Sequence, residues 1–331
     1  NYDGRYPIPG VNDTGILYRP NAYNTDLTWE RTTTYNAGLD FGFLNNRITG
    51  SVDFYKRVTT DLLNTVYVSA GSNFRNQVLS NIGSMENTGV EVSLTFRPVE
   101  TKNFNWELNI NGTYNKNEIT ELVASEGKDY FVPTGGISAG TGNTCQAHAV
   151  GHPASSFYVY QQVYDDKGMP IEGVYVDRNG DGKISTADKY FYKSPNAPFT
   201  AGLSNKFNWK NWDLGFALRA SFDNYVFNDI EAGWSNVKEV YAQASKTLNN
   251  RPTMVLAKNW QTYDNALSDY FVQNATFLKC DNITLGYSFN TCGFSGRIYG
   301  SVTNVFTITK YKGLDPEVFG GIDGSMYPRP I

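Results

Sequence analysis

The segment Phe199–Phe222 reads FTAGLSNKFNWKNWDLGFALRASF. Phe199, Ala201, Leu203 and Phe207 alternate with Thr200, Ser204 and Lys206. Past Lys210-Asn211 the pattern resumes with Trp212, Leu214, Phe216, Leu218 and Phe222, interleaved with Asp213 and Arg219. Successive side chains of a strand point to opposite faces, so each run predicts a strand with one apolar and one polar face. The break between the runs predicts a short hairpin turn. A run of about ten residues is also the length that a tilted strand needs to cross a bilayer.

The same pattern recurs along the chain. Tyr35, Ala37, Leu39, Phe41 and Phe43 alternate with Asn36, Gly38, Asp40 and Gly42, and after Asn45-Asn46-Arg47 come Ile48, Val52 and Phe54. Val90, Val92, Leu94 and Phe96 lead to Trp106, Leu108, Ile110 and Tyr114, with Glu91, Arg97, Glu107 and Asn109 on the alternate positions. A fourth pair runs through Ile283, Leu285, Tyr287 and Phe289, then Ile298, Val302 and Phe306. Long connections, 58–87, 119–155 and 223–274, alternate with the short ones. Outer-membrane barrels have this asymmetry, with short periplasmic turns and long extracellular loops. A soluble β-sandwich alternates too, but the strand length, the charges on the would-be inner face and the long loops weigh against it. Trp106, Trp209 and Trp212, beside short turns, suit an interfacial girdle.

The expected fold is therefore all-β, a transmembrane antiparallel β-barrel. Because both flanking hairpins turn at the periplasmic side, an even number of crossings separates Tyr114 from Phe199. Phe157–Tyr164 and Ile171–Val176, joined at Asp165-Asp166-Lys167-Gly168, are read as two such crossings, which makes about ten strands. On this count residues 1–28, 177–188 and 223–274 are extracellular loops, the chain ends outside, and one more strand follows Ile331.

Composition narrows the class. Among 331 residues, 15% are aromatic and 31 are Gly, and a mean hydropathy of -0.43 describes a polar, aromatic-rich chain that favours β structure. No run approaches the ~20 apolar residues of a membrane helix. Asn1 opens the chain without Met, basic n-region or apolar h-region, which reads as a mature, processed or partial chain. A net charge of -4 with scattered basic residues argues against nucleic acid. Cys145, Cys280 and Cys292 form no CxxC pair, and twelve residues of extended chain between the last two, roughly 40 Å at ~3.3 Å each, preclude a disulfide.

One loop carries candidate chemistry. Asp177, Asn179 and Asp181 stand at positions 1, 3 and 5 of a calcium-type pattern, with Gly182 for the sharp turn, the Lys183 carbonyl, Ser185 at position 9 and Asp188 at position 12. Calcium takes six to eight oxygens, which such spacing supplies. Asp188 is shorter than the usual bidentate Glu, and an Asx-rich turn satisfying its own side chains is the alternative. Calcium, if bound, would brace a surface loop. His148 and His152 read as loop residues, and no motif suggests an enzyme. Val237, Val240, Tyr241, Ala244 and Leu248 have helical spacing after Ser235, an N-cap candidate, so the longest loop is expected to carry a short amphipathic helix.

Seven segments together resemble the C-terminal half of SusC/RagA-type TonB-dependent transporters. In order they are NTDLTWE from Asn24, NIGSMENTG from Asn81, VGHP from Val150, Asp177–Ile184, NITLGY from Asn282, NVFT from Asn304 and GLDPE from Gly313. The resemblance implies a 22-stranded plugged barrel of which this chain supplies the second half, with the plug and the closing strand outside it. It implies active import: a SusD-like surface lipoprotein acts as lid, TonB acts through the plug, and the cargo is an oligosaccharide or a peptide. Tyr130, Phe131, Tyr225, Trp234 and Tyr241, aromatic residues in the long loops, are the candidate substrate contacts. Two other classes remain open, a non-energised porin or adhesin barrel and a soluble carbohydrate-binding β-domain.

Overall fold

The computed structural model describes residues 2–7, 16–20, 22–69, 71, 76–122, 130–140, 142–242, 246–262, 264–291 and 293–324. Its main feature is one antiparallel sheet of eight strands whose spatial order equals their chain order. The strands are β1 Arg31–Phe43, β2 Ile48–Tyr67, β3 Gln77–Glu100, β4 Phe104–Leu122, β5 Phe199–Trp209, β6 Trp212–Phe222, β7 Phe277–Thr291 and β8 Phe294–Thr309. Each quoted hairpin pairs as its alternation demands: Trp209 faces Trp212 and Phe199 faces Phe222 across β5 and β6, and Phe43 faces Ile48. Directly paired residues share a face, so the register stacks apolar on apolar, as in Ile110, Leu203 and Leu218.

One face is apolar and solvent-exposed: Leu39, Leu285, Ile298 and Val302 are each roughly half exposed or more. The other carries ion pairs such as Arg97–Glu107 and Arg297–Asp213. At the short-turn end Trp106 stacks on Phe207 at 5.6 Å and Trp212 meets Tyr287 at 4.8 Å. Trp106 also donates to Asn205 at 2.7 Å, which satisfies the one amide among the apolar-facing residues of β5. The turn after β1 needs Leu44, Asn45 and Asn46 all in the left-handed region, at φ 54°, 56° and 61°, a conformation that asparagine tolerates better than most residues.

Two expectations are corrected by the sheet. The strand count in this wall is eight rather than ten: Ser156–Val159 joins Tyr190–Phe191, Thr144–Ala149 and Phe131–Gly136 in a separate four-stranded sheet, and Gln162–Tyr164 pairs only with Pro170–Tyr175. Alternation misled here because a strand packed on a protein core has the same period as one packed on lipid. Phe157 and Val159 are fully buried in such a core. Nor is 58–87 simply a connection, since β2 and β3 continue their pairing out to Tyr67 and Gln77. At ~3.3 Å per residue, the 24 residues of β3 span roughly 80 Å, more than twice the ~30 Å hydrocarbon layer.

The four-stranded sheet, the Gln162–Tyr175 hairpin, α1 (Asp229–Trp234) and α2 (Met254–Lys258) form a packed cap at the long-connection end of the wall. Its core gathers Cys145, Phe157, Val159, Phe227, Trp260, Phe271 and Val272. The expected helix beyond Ser235 is replaced. Ser235 closes α1, and Asn236 takes the Lys238 amide on its side chain and starts a single 3₁₀ turn, Val237–Val240. Tyr241–Ala242 then pairs with Thr247–Leu248. The local asparagine cap competes with helix continuation at this point. Cys145 and Cys280 are buried free thiols, while Cys292 and the segment 325–331 lie outside the described residues.

Candidate functional site

Asparagines couple the cap to the polar face of the wall. Asn87 on β3 accepts from Asn117 on β4 at 2.9 Å, and Asn117 accepts from the Ala154 amide at 2.7 Å. The loop 150–153 is stitched to the same strand: the Ile119 amide donates to the His152 carbonyl and the Gly151 amide to the Ile119 carbonyl, each at 2.9 Å. Asn81 clamps the segment before β1, accepting from the Thr28 amide at 2.9 Å and donating to the Asp61 carbonyl at 2.6 Å. The residues quoted around Asn24, Asn81 and Val150 are thus the joints of the structure.

The five aromatic candidates do not converge. Phe131 meets Tyr158 in a tilted contact at 4.8 Å, and Tyr158 meets Phe191 likewise at 4.8 Å, within the cap sheet. Tyr130 precedes that strand and is half-buried. Tyr225 meets Tyr192 edge-on at 6.4 Å and lies under the Lys193 ammonium at 4.8 Å. Trp234 closes α1 with the Arg251 guanidinium 4.6 Å from its ring, and Tyr241 stands about half exposed on its short strand. None of the five lines the cavity described below.

In the Asp177 loop the oxygens accept main-chain amides. Asp177 takes Gly180 at 2.7 Å and Gly182 at 2.8 Å; Asn179 takes Asp181 at 2.9 Å; and Asp181 takes Lys183 at 2.8 Å. Gly182, at φ 80°, makes the turn possible. Asp188 is fully buried and caps a short 3₁₀ turn in a reciprocal box with Ser185. The amides of Ser185, Asn179 and Arg178 hold its carboxyl below the usual range. Asp177 and Asp181 retain acceptor capacity beyond these bonds, whereas Asp188 is engaged by three amides. Among the described residues no three His, Cys, Asp or Glu side chains converge as a metal site.

Sequence reasoning missed two polar features. In the cap, Lys258 is ion-paired to Glu231 with both side chains nearly inaccessible. Glu231 also accepts from Tyr270 at 3.3 Å and Gln273 at 2.7 Å. Burial pushes the Lys258 ammonium down, and the pairing with Glu231 opposes that shift. On the wall, Arg219 bonds Asp281 at 2.8 Å and also Glu317, and Lys279 bonds Asp315 at 2.9 Å and Glu317 at 3.0 Å. Burial raises the Glu317 carboxyl, but the bonds from Arg219 and Lys279 outweigh it and hold the group below its ordinary value. The only signal in the sequence was the pair of acids in the Gly313–Glu317 segment, whose partners lie 36 to 98 positions away.

Comparison with known proteins matches this arrangement throughout its length. Residues 1–305 match the family described as TonB dependent receptor-like, beta-barrel. The TonB-dependent receptor SusC of Bacteroides thetaiotaomicron is 50% identical over 95% of the chain, which covers 32% of that protein. TonB-dependent receptor P39 of Formosa agariphila is 27% identical over 92% of the chain, covering 35% of that protein. Among solved structures, the RagAB peptide transporter superposes with a TM-score of 0.73 at 26% identity, over 98% of this chain and 37% of the transporter chain. The chain thus spans about a third of the length of these relatives. With its alternating wall strands in unbroken order and a match over nine-tenths of its length, the chain belongs to the TonB-dependent receptor-like β-barrel family.

Proposed function

We propose that this chain is the C-terminal part of a TonB-dependent importer that carries an oligosaccharide across the outer membrane with a SusD-like surface lipoprotein as lid. Membership of its family makes it an outer-membrane barrel protein rather than an enzyme. One observation carries the import reading. Among the described residues, a wall with an apolar outer face and a charged, hydrogen-bonding inner face is covered at one end, by a cap with its own core. Such a wall borders a lipid phase on one side and a polar lumen on the other. The cap then lies outside the cell, with 177–188 and 223–274 among its loops, and TonB acts from the opposite side through a plug in the remainder of the protein.

Oligosaccharide is preferred because the cluster of Arg219, Lys279, Asp281, Asp315 and Glu317 near the cap is paired within itself, leaving the amides and hydroxyls beside it to meet the cargo. Peptide is the second reading, supported by the likeness to the RagAB peptide transporter. Purification of the native complex in mild detergent, with mass spectrometry of every associated chain and small molecule, tests both. A lipoprotein lid and a bound glycan or peptide establish the importer and its cargo. A barrel alone, without lid or plug, returns the porin reading.

Calcium at Asp177, Asn179, Asp181, Lys183, Ser185 and Asp188 is proposed as a brace for the cap, on the oxygen spacing of the loop. Asp181→Ala is expected to abolish a calcium-dependent rise in melting temperature, and an undiminished rise removes the site.

A further inference from the structure

After β8 the chain does not leave the sheet. Residues 311–323 return across the polar face as a strap between wall and cap. Tyr311 donates its hydroxyl to Asp323 at 2.8 Å, Gln146 holds the Gly320 carbonyl at 2.8 Å, and the Asp323 amide donates to the Phe227 carbonyl at 2.9 Å. Between these anchors Asp315 and Glu317 are fixed by Lys279 and Arg219. The strap roofs a cavity of about 480 Å³ whose wall side is formed by Asn111, Thr200, Gly202 and Arg219 of three neighbouring strands, with Glu317 overhead. That volume falls within the roughly 300–1,000 Å³ of small-molecule sites.

The lining selects a ligand chemistry. Arg219 and Lys279 are both occupied by carboxylates, two cations against Asp281, Asp315 and Glu317. A phosphate or carboxylate ligand would have to displace an acid already tied in place, leaving it unpaired. Pro195, Phe277, Pro316 and Val318 also line the cavity and offer surface to the C–H face of a ligand, but a wholly apolar ligand would leave the amide and hydroxyl beside them without partners. What remains on offer is uncharged and faces both ways. Asn111 is exposed, and its side chain carries a donor and an acceptor with no hydrogen-bond partner among the described residues. Thr200, an exposed residue that carries a hydroxyl, lies on the adjacent strand and lines the same cavity. Gly202 is the space that the Asn111 amide occupies, since a Cβ there would lie 2.6 Å from Asn111 Oδ1. Beside them the paired Arg219 and Glu317 also line the cavity.

We propose that this cavity is a binding subsite for a neutral, hydroxyl-rich segment of cargo, a stretch of oligosaccharide held by Asn111, Thr200 and the Arg219–Glu317 pair. Vicinal hydroxyls donate and accept at once, which is what a side-chain amide flanked by a hydroxyl and a neutralised guanidinium–carboxylate pair can answer. The subsite rests on the import reading and gives it a place on this chain, on the lumenal wall beneath the cap, apart from the aromatic loop residues.

The test uses the complete complex extracted from the outer membrane in mild detergent. A panel of neutral oligosaccharides and a panel of unmodified peptides are titrated calorimetrically. Asn111→Leu removes the amide at similar size, and Gly202→Ala displaces it while leaving residue 111 intact; membrane abundance and melting temperature verify folding of each. About tenfold weaker binding of the preferred oligosaccharide in both variants, the scale of one or two lost hydrogen bonds, is the expected result. If one variant fails to assemble, the other decides. Unchanged affinity in a folded variant overturns the subsite and leaves oligosaccharide import standing. Binding of peptides and no oligosaccharide by the unaltered complex overturns both.

Discussion

The wall and the cap draw on one composition and use it in opposite directions. In the wall, large apolar residues point away from the protein: Tyr35, Leu39, Phe54, Ile298 and Val302 are all more than half exposed. In the cap they point inward, and Phe157, Phe227 and Phe271 have no exposed surface. Each wall strand is held to its neighbours by a backbone ladder, whereas the cap is held by an aromatic core in which Trp260 and Phe271 meet edge to face at 5.8 Å. The difference teaches that the two regions depend on different solvents. The wall's apolar face gains its stability from lipid, and the cap's core gains its stability from water leaving it.

That contrast can be broken most directly at Glu231. Glu231→Ala leaves Lys258 buried without its partner, at a cost of about 3–5 kcal/mol. Limited proteolysis is expected to cut the cap while the wall keeps its heat-modifiable migration on a gel. Loss of the wall as well would show that the two regions fold as one. Next comes Leu214→Arg on the apolar face, expected to impair membrane assembly by about 2–4 kcal/mol at mid-depth, read as folded fraction in a denaturant titration in lipid vesicles. Its neighbour Asp213 points to the other face, where it pairs with the exposed Arg297 at 2.5 and 2.9 Å. Asp213→Asn is expected to cost under about 1 kcal/mol in the same titration, and equal effects at the two positions would reverse the assignment of the faces.

The smallest expected effect sharpens the cap side. His148 is pushed below the usual histidine value by burial, and its Nδ1 accepts the Ser155 amide at 3.1 Å, as only the neutral ring can. Its folded pKa lies below its unfolded one, so the unfolded state binds the proton more readily. The contribution to stability is complete above the unfolded value of about 6.5 and is lost as pH falls through the folded value. Cap melting is expected to drop as pH falls below about 6.5, and His148→Gln to flatten that slope. A slope as steep in the variant would assign it to another group.

The wall was legible because register enforces a period of two over long stretches and lets Trp209, Trp212 and the asparagine turns punctuate it. Membrane-facing sides were legible for the same reason. The cap was not. Ser156–Val159 alternates like a wall strand, and nothing local distinguishes Phe157 against Phe271 from Phe157 against lipid. The extension of β2 and β3 beyond the apolar band was hidden because its outward positions change from Val92 and Val90 to Thr88 and Glu86, where Lys56 pairs with Glu86 at 2.8 Å. Polarity there marks the end of the apolar band rather than the end of the strand. The inner cavity was beyond reach, since Asn111, Arg219 and Glu317 meet only through strand order and the returning strap.

Spatial order equal to chain order makes the wall a counting device. Every strand needs only the strands before and after it, so a hairpin can be gained or lost with a single pairing to mend. Crossings come in twos, and a change of one hairpin keeps the long connections on the side where they were. A change of one strand would carry every later loop, strap and cavity to the opposite side of the membrane. A lineage remodelling such a wall is therefore confined to even steps, while the loops at its capped end are free to change one residue at a time.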